Sequence, residues 1–211
     1  REIGPDEFDV FADIERRTGE RRGFATRGAD YFRQFKQAYG ADAHFMLAEI
    51  HIAEYVADMT AKREALQTKV AQLQTKYDER PTTRIERQPL GEESRNLAAA
   101  GKRLAEVEGY AKKGDVLPAA ASMFVSHPNE VVYQYSGSLE EYKPFYASAL
   151  IQYEAMLHLC VEQGVSRYNF YGISGVFDDP NDEGRGVLEF KQGFNGYVEQ
   201  MVGKFTLPVD K

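Results

Sequence analysis

Apolar positions in the first forty residues recur at helical intervals. Phe8, Phe11, Ala12 and Ile14 form one face of a helix expected over 5–18, with Pro5 in its first turn and Asp6 and Glu7 at its positive end. Tyr31, Phe32, Phe35 and Tyr39 do the same for 29–39, which Gly40 stops. The pattern then changes: Ala43–Ile52 has strand composition and partial alternation. From residue 53 it changes again. Val56, Met59, Leu66, Val70, Leu73 and Tyr77 follow heptad spacing, and so do Leu97, Leu104, Val107 and Ala111. Between the two runs, Arg80-Pro81 to Pro89-Leu90-Gly91 reads as a break. Two helices of about 25 residues joined there predict an antiparallel hairpin roughly 35–40 Å long. Ala98, Ala99, Ala100 and Gly101 permit close approach of the pair.

From 114 onward strands and helices alternate. Ala119–Ser126 and Val131–Tyr135 flank His127-Pro128-Asn129-Glu130, the signature of a turn between paired strands. Pro144–Gly164 reads as one helix and Arg167–Tyr171 as a short strand. A Gly/Asp/Pro-rich loop over 172–186, a helical turn near 187–194 and a strand at 197–205 complete the order. Strands joined by crossover helices predict an α/β sheet with a parallel component.

Composition narrows the function classes. With 43% hydrophobic residues and no low-complexity stretch, the chain has what a folded core needs. Apolar runs fall well short of the roughly 18 residues of a membrane span. Arg1 stands where an initiator Met would, which predicts an excised piece, and Arg1-Glu2-Ile3-Gly4 does not open a signal peptide. The single cysteine, Cys160, has no intramolecular partner and lies mid-helix on an apolar face, so it reads as a buried, unactivated thiol in a cytosolic protein. A net charge of −7 argues against broad nucleic-acid binding. The charge is uneven, however: residues 54–113 carry 12 Lys/Arg against 10 Asp/Glu, which permits a local contact with phosphates.

Metal chemistry finds no support, because His44, His51, His127 and His158 are scattered and no HExxH, CxxC or EF-hand pattern occurs. Nucleophile elbows and Walker or dinucleotide loops are also missing. What remains is Tyr171-Gly172-Ile173-Ser174-Gly175 at a strand end, followed by Gly186 to Asn195 with Phe190, Lys191 and Phe194. Glycines there let backbone approach a ligand, a lysine beside them can face an oxyanion or phosphate, and two phenylalanines can stack on a base. Singly, such residues are commonest as a surface charge and core rings.

Three stretches give the chemistry a direction: VVYQYSGS, YASALIQYEAMLHLCVEQGVSRYNFYGISG and GVLEFKQGFNGYVEQMVGKF, with RGFATRGADYFRQFKQAYG upstream. In order and spacing they resemble the FemABX family, tRNA-dependent aminoacyltransferases that build the peptidoglycan interpeptide bridge, over essentially the whole chain. The resemblance implies the second of two GNAT-like domains (acyl-CoA N-acyltransferase-type) with an inserted antiparallel helical hairpin, a coiled-coil arm. On that reading residues 1–52 and 114–211 form the GNAT-like domain and 53–113 the arm. It further implies transfer of Gly, Ala or Ser from aminoacyl-tRNA, a co-substrate with no resident cofactor or metal, to the stem peptide of lipid II or its nucleotide precursor. Sister Fem-type enzymes could dock through the arm, and the work would be cytoplasmic, at the inner face of the membrane. The family's Phe-Lys pair falls on Phe190 and Lys191, which implies that Lys191 would stabilise charge on the ester carbonyl or leaving ribose oxygen and that Phe190 would help shape the pocket for the tRNA 3′ adenosine. Tyr171, with Gly172, Ser174 and Gly175, would line the substrate. Family enzymes carry a first domain ahead of this one, so the chain alone is expected to fold yet be inactive. Two other readings share the fold: a non-catalytic GNAT-like module whose arm docks a partner, and a CoA-dependent acetyltransferase, for which no pyrophosphate loop is evident.

Overall fold

A computed structural model describes residues 1–79, 87–203 and 205–208. It is a mixed α/β fold around a four-stranded sheet of order β1-β2-β3-β4. The strands are β1 (Ala43–His51), β2 (Val116–Ser126), β3 (Val131–Ser138) and β4 (Tyr168–Asn169). β1, β2 and β3 pair antiparallel, and only β3 with β4 is parallel, through Val131 opposite Tyr168 and Val132 opposite Asn169. The parallel component is thus confined to one short edge. Residues 1–3 extend the opposite edge, where the Ile3 amide donates to Phe45 O at 2.7 Å and the Leu47 amide to Arg1 O at 2.9 Å.

β2 is central, and its run of buried residues from Ala119 to Val125 reflects cover on both faces. Ala119, Ala121, Met123 and Val125 face α1 (Phe8–Arg22) and α2 (Ala29–Tyr39), whereas Ala120 and Phe124 face α5 (Ala147–Ala155). On the first face Phe8, Phe11, Phe32 and Phe45 are fully buried, with ring centroids 4.2 Å apart for Phe8–Phe45 and 4.8 Å for Phe11–Phe32. Offset aromatic contacts of this kind add to plain area burial. α1 lies so close on β3 that a Cβ at Gly137 would stand 2.7 Å from Ile14 O, so only glycine fits. On the second face Ile151, Ala155, Leu159 and Cys160 pack on Ala48, Ala120, Phe124 and Val131.

α3 (Ile52–Asp78) and α4 (Gln88–Ala111) leave the sheet between β1 and β2. They run side by side in opposite directions: Ile52 N–H donates to Asp115 O at 2.9 Å at the sheet end, and Lys69 meets Glu93 at 2.5 Å further out. Val56, Met59, Leu66, Val70, Leu73 and Tyr77 on α3, with Leu97, Leu104 and Val107 on α4, are buried or half-buried, but Ala111 is exposed. Ile52, Tyr55, Val56, Val107 and Tyr110 join the sheet core.

Several boundaries differ from the sequence reading. Pro5–Glu7 forms a 3-10 turn before α1, and α1 runs on to Arg22 because Gly23, at φ +74°, is the first residue to turn the chain. The expected break through Gly91 is shorter: Pro89 sits in the first turn of α4, where its missing N–H is harmless, and 80–86 lie outside the described residues. Pro144 does not open the long helix. It lies in a 3-10 turn, Glu140–Phe145, and Tyr146 at φ 55° separates this from α5, which widens into π geometry over Met156–Val161. The strand read at 167–171 shrinks to Tyr168–Asn169. That read at 197–205 does not form over its described residues, whose Tyr197, Met201 and Phe205 are 79%, 76% and 82% exposed.

Candidate functional site

β4 ends abruptly. The Asn169 side chain accepts the Tyr171 amide at 2.8 Å, and Tyr171 takes φ +63°, a left-handed conformation unusual for an aromatic residue. The chain therefore swings off the sheet at Tyr171, whose ring is 62% exposed. Within the following loop Ser174 donates to Asp182 Oδ2 at 2.8 Å and accepts the Val176 amide at 3.3 Å. Gly184 completes the tie, because a Cβ there would meet Asp182 Oδ2 at 2.8 Å and Ser174 Oγ at 2.9 Å. Arg185 closes the far side, donating to Phe177 O at 3.0 Å and Glu189 at 2.8 Å.

That tie delivers the chain to α6 (Arg185–Gln192), anchored by buried Leu188. One turn on, Lys191 Nζ donates to Gly172 O at 2.6 Å. The amine is half-buried, and burial alone pulls its pKa below the ordinary lysine value. Among the described residues no carboxylate comes within salt-bridge distance of it. Phe190 presents its edge to Phe194 at 5.4 Å, Phe194 meets Phe170 at 5.5 Å, and Phe170 meets Tyr168 at 4.8 Å. A ladder of rings thus connects the sheet core to α6, the helix that carries the lysine.

The structure joins Lys191 to Gly172, sets Phe190 at the end of the ring ladder, and leaves Tyr171, next to Gly172, exposed. Ser174 and Gly175 (φ +77°) lie within the same loop, where the Ser174 hydroxyl is engaged with Asp182. Asp182, Gln152 and Tyr168 were not singled out from the sequence.

A second polar cluster was also missed. Glu15 is 4% exposed between α1 and β3, and burial raises its pKa to about 7 despite a hydrogen bond from the Arg27 backbone. Nearby, the Tyr31 and Tyr135 hydroxyls meet at 3.0 Å, Arg27 lies 5.2 Å over the Tyr31 ring, and burial raises Tyr135 to about 12. The signal was available: Phe8, Phe11, Glu15 and Thr18 fall on one helical face, so Glu15 interrupts an apolar stripe. Among the described residues no group of three or more His, Cys, Asp or Glu is placed to hold a metal, and no helix is long and apolar enough to cross a membrane.

A strand-end loop is thus held against a half-buried lysine that has no carboxylate partner among the described residues, and comparison with known proteins gives the chain a family. The FemAB family model matches residues 1–211, and the chain belongs to that family. It is 30% identical over 213 residues to aminoacyltransferase FemA of Staphylococcus epidermidis, covering 100% of this chain and 50% of that protein. It is 32% identical over 215 residues to aminoacyltransferase FemB of S. epidermidis strain RP62A, again 100% of this chain and 50% of the relative. The chain therefore spans about half the length of these curated relatives. The crystal structure of FemX superposes with a TM-score of 0.70 over 93% of this chain and 50% of that one, at 22% identity, which shows a shared fold.

Proposed function

We propose that this chain is the lysine-bearing half of an aminoacyltransferase that moves Gly, Ala or Ser from aminoacyl-tRNA to the stem peptide of a peptidoglycan precursor. The observation that carries the reading is Lys191, half-buried with no carboxylate partner and oriented by Gly172 O at 2.6 Å. In the transfer, the acceptor amine attacks the ester carbonyl carbon, whose oxygen becomes an oxyanion. The tetrahedral species then collapses, the amide C–N bond stays, the ester C–O bond breaks, and the ribose oxygen takes up the proton that the amine gives up. An ammonium has three N–H groups. Gly172 uses one, which leaves two for the oxyanion or the leaving oxygen. A cation that binds developing charge better than the neutral ester lowers the barrier, and partial burial strengthens its field. Phe190, next to Lys191 on α6, and exposed Tyr171, next to Gly172, would receive the 3′ adenosine by stacking in this proposal.

The α3–α4 insertion, residues 53–113, acts in this proposal as an arm on a GNAT-like body formed by 1–52 and 114–211. Its excess of Lys/Arg suits contact with tRNA phosphates or a sister enzyme. In this proposal the acceptor site draws on the further half that the relatives possess, so transfer is expected of the full-length protein rather than of this chain alone.

The test is transfer of labelled glycyl-, alanyl- and seryl-tRNA into lipid-linked and nucleotide-linked precursor by the full-length protein, with Lys191→Met beside it. One amino acid should dominate, and Lys191→Met should cut turnover about 10²–10³-fold. Near wild-type turnover in Lys191→Met would remove the assignment.

A further inference from the structure

Gln152 lies on α5 with no exposed surface, yet only half of its amide is used. The Tyr168 hydroxyl donates to its Oε1 at 2.6 Å, whereas Nε2 meets no acceptor among the described residues. Turning the amide over would only move the unpaired atom from nitrogen to oxygen. Burying an unpaired polar group is unfavourable. Methionine at 152 together with phenylalanine at 168, close to the native pair in volume, would relieve that cost without opening a cavity or leaving a hydroxyl unpaired. The Gln152–Tyr168 pair is therefore not the most stable filling of the space.

What the polar pair adds is direction. A hydrogen bond fixes a ring at one depth and one angle, which apolar contact does not. Tyr168 matters in this respect because β4 has only two residues and two pairing partners on β3. From Tyr168 the ring ladder runs through Phe170 and Phe194 to Phe190. Two residues beyond Phe170 is Gly172, whose carbonyl holds the Lys191 amine. Both the carbonyl that orients Lys191 and α6, which carries the lysine and is held through Phe194 and Phe190, are thus tied to Tyr168.

We propose that the Gln152–Tyr168 hydrogen bond is a positioning contact for Lys191, setting through Phe170, Phe194 and Phe190 where the amine stands. The inference rests on the role given to Lys191 above. Gln152 and Tyr168 touch no reacting atom in this scheme; they act through the lysine.

The experiment compares Gln152→Met, Tyr168→Phe and the double variant in the full-length protein. The double variant should keep or raise Tm, whereas Gln152→Met leaves the Tyr168 hydroxyl without its acceptor and should lower it. In both, kcat should fall roughly tenfold, as expected when a reacting group is misplaced by a fraction of an ångström, with KM for aminoacyl-tRNA within about twofold. The double variant should be no worse than either single one, because both remove the same contact. A readout independent of activity is the 13C-dimethyl-lysine NMR signal of Lys191, assigned by its loss in Lys191→Met. It should titrate at higher pH in the variants than in wild type, because a displaced amine regains water. Should Tyr168→Phe fold poorly, the double variant, which leaves no polar orphan, carries the test. Turnover within twofold of wild type in Gln152→Met and the double variant, with an unmoved Lys191 titration, overturns the proposal. So does a loss of kcat that merely tracks a loss of Tm. If Lys191→Met itself turns over normally, the catalytic reading fails first; if Lys191→Met is crippled and the Gln152 and Tyr168 variants are not, only the positioning role fails.

Discussion

Replacing Glu15 by glutamine should change how stability responds to pH. Glu15 is 4% exposed, and its pKa moves from 4.5 to about 7, chiefly through burial. Between these values the unfolded chain has released a proton that the native carboxyl retains. Native stability must therefore fall as pH rises through this window and level off above it. At about 1.4 kcal/mol per pKa unit the loss is about 3 kcal/mol. For a domain of this size that lowers Tm by roughly 6–12 °C. Two paired carboxylates act outside this window. The Arg1 and Lys113 side chains hold Glu49 and Glu141 below the usual range, so the stability these carboxylates contribute is lost only as pH falls below the window. His158 is raised by Glu162 and then Glu154, but it is exposed and present in both proteins, so it drops out of the comparison. Glu15→Gln keeps the shape and cannot titrate. Thermal melts at half-unit steps from pH 5 to pH 8 should show the wild type declining relative to the variant. Parallel curves for the two would refute the buried, proton-retaining carboxyl.

In single-turnover transfer, the contribution of the Lys191 cation should be lost as pH rises through its lowered pKa, at lower pH than for an ordinary lysine; a pH–rate profile of wild type against Lys191→Met checks this. Gly137→Ala should destabilise by about 1–3 kcal/mol in urea melts, because the new methyl would stand 2.7 Å from Ile14 O. Phe11→Ala, which empties a fully buried ring site, should cost about 3–5 kcal/mol by the same assay. By contrast Lys102→Met should change stability by less than about 1 kcal/mol, since it meets Glu106 at 3.8 Å with both side chains largely in solvent.

Those elements whose stabilising contacts are local and periodic were legible in the sequence. Tyr31, Phe32, Phe35 and Tyr39 gave α2 its observed bounds, and heptad spacing gave α3 and α4. Elements that depend on a partner were not. Residues 197–205 have a strand-like composition, but a strand exists only against an edge, and two-residue β4 offers little of one. Pro144 suits a helix start by propensity, yet the left-handed turn at Tyr146 places the start three residues later. At the site, Phe190, Lys191 and Tyr171–Gly175 stood out because glycines, rings and a cation cluster along the chain. Engagement of Ser174 by Asp182, and of Tyr168 by Gln152, follows from loop path and from packing across 16 residues, which leave no period to read.

β1 and β2 are neighbours in the sheet although residues 52–115 lie between them. Closing a flexible loop of that length rather than a tight turn would cost about 2.5 kcal/mol more in chain entropy, and would slow the search for register. The Ile52–Asp115 hydrogen bond shows how this is avoided: the intervening helices return the chain to the point it left. Contacts along α3 and α4 can zip from their joined end toward the sheet, each step local, so that His51 and Val116 arrive together as if a short connection linked them. The long insertion is then nearly neutral to the folding rate of the sheet, and its length can change by whole helical turns on both helices without disturbing strand register.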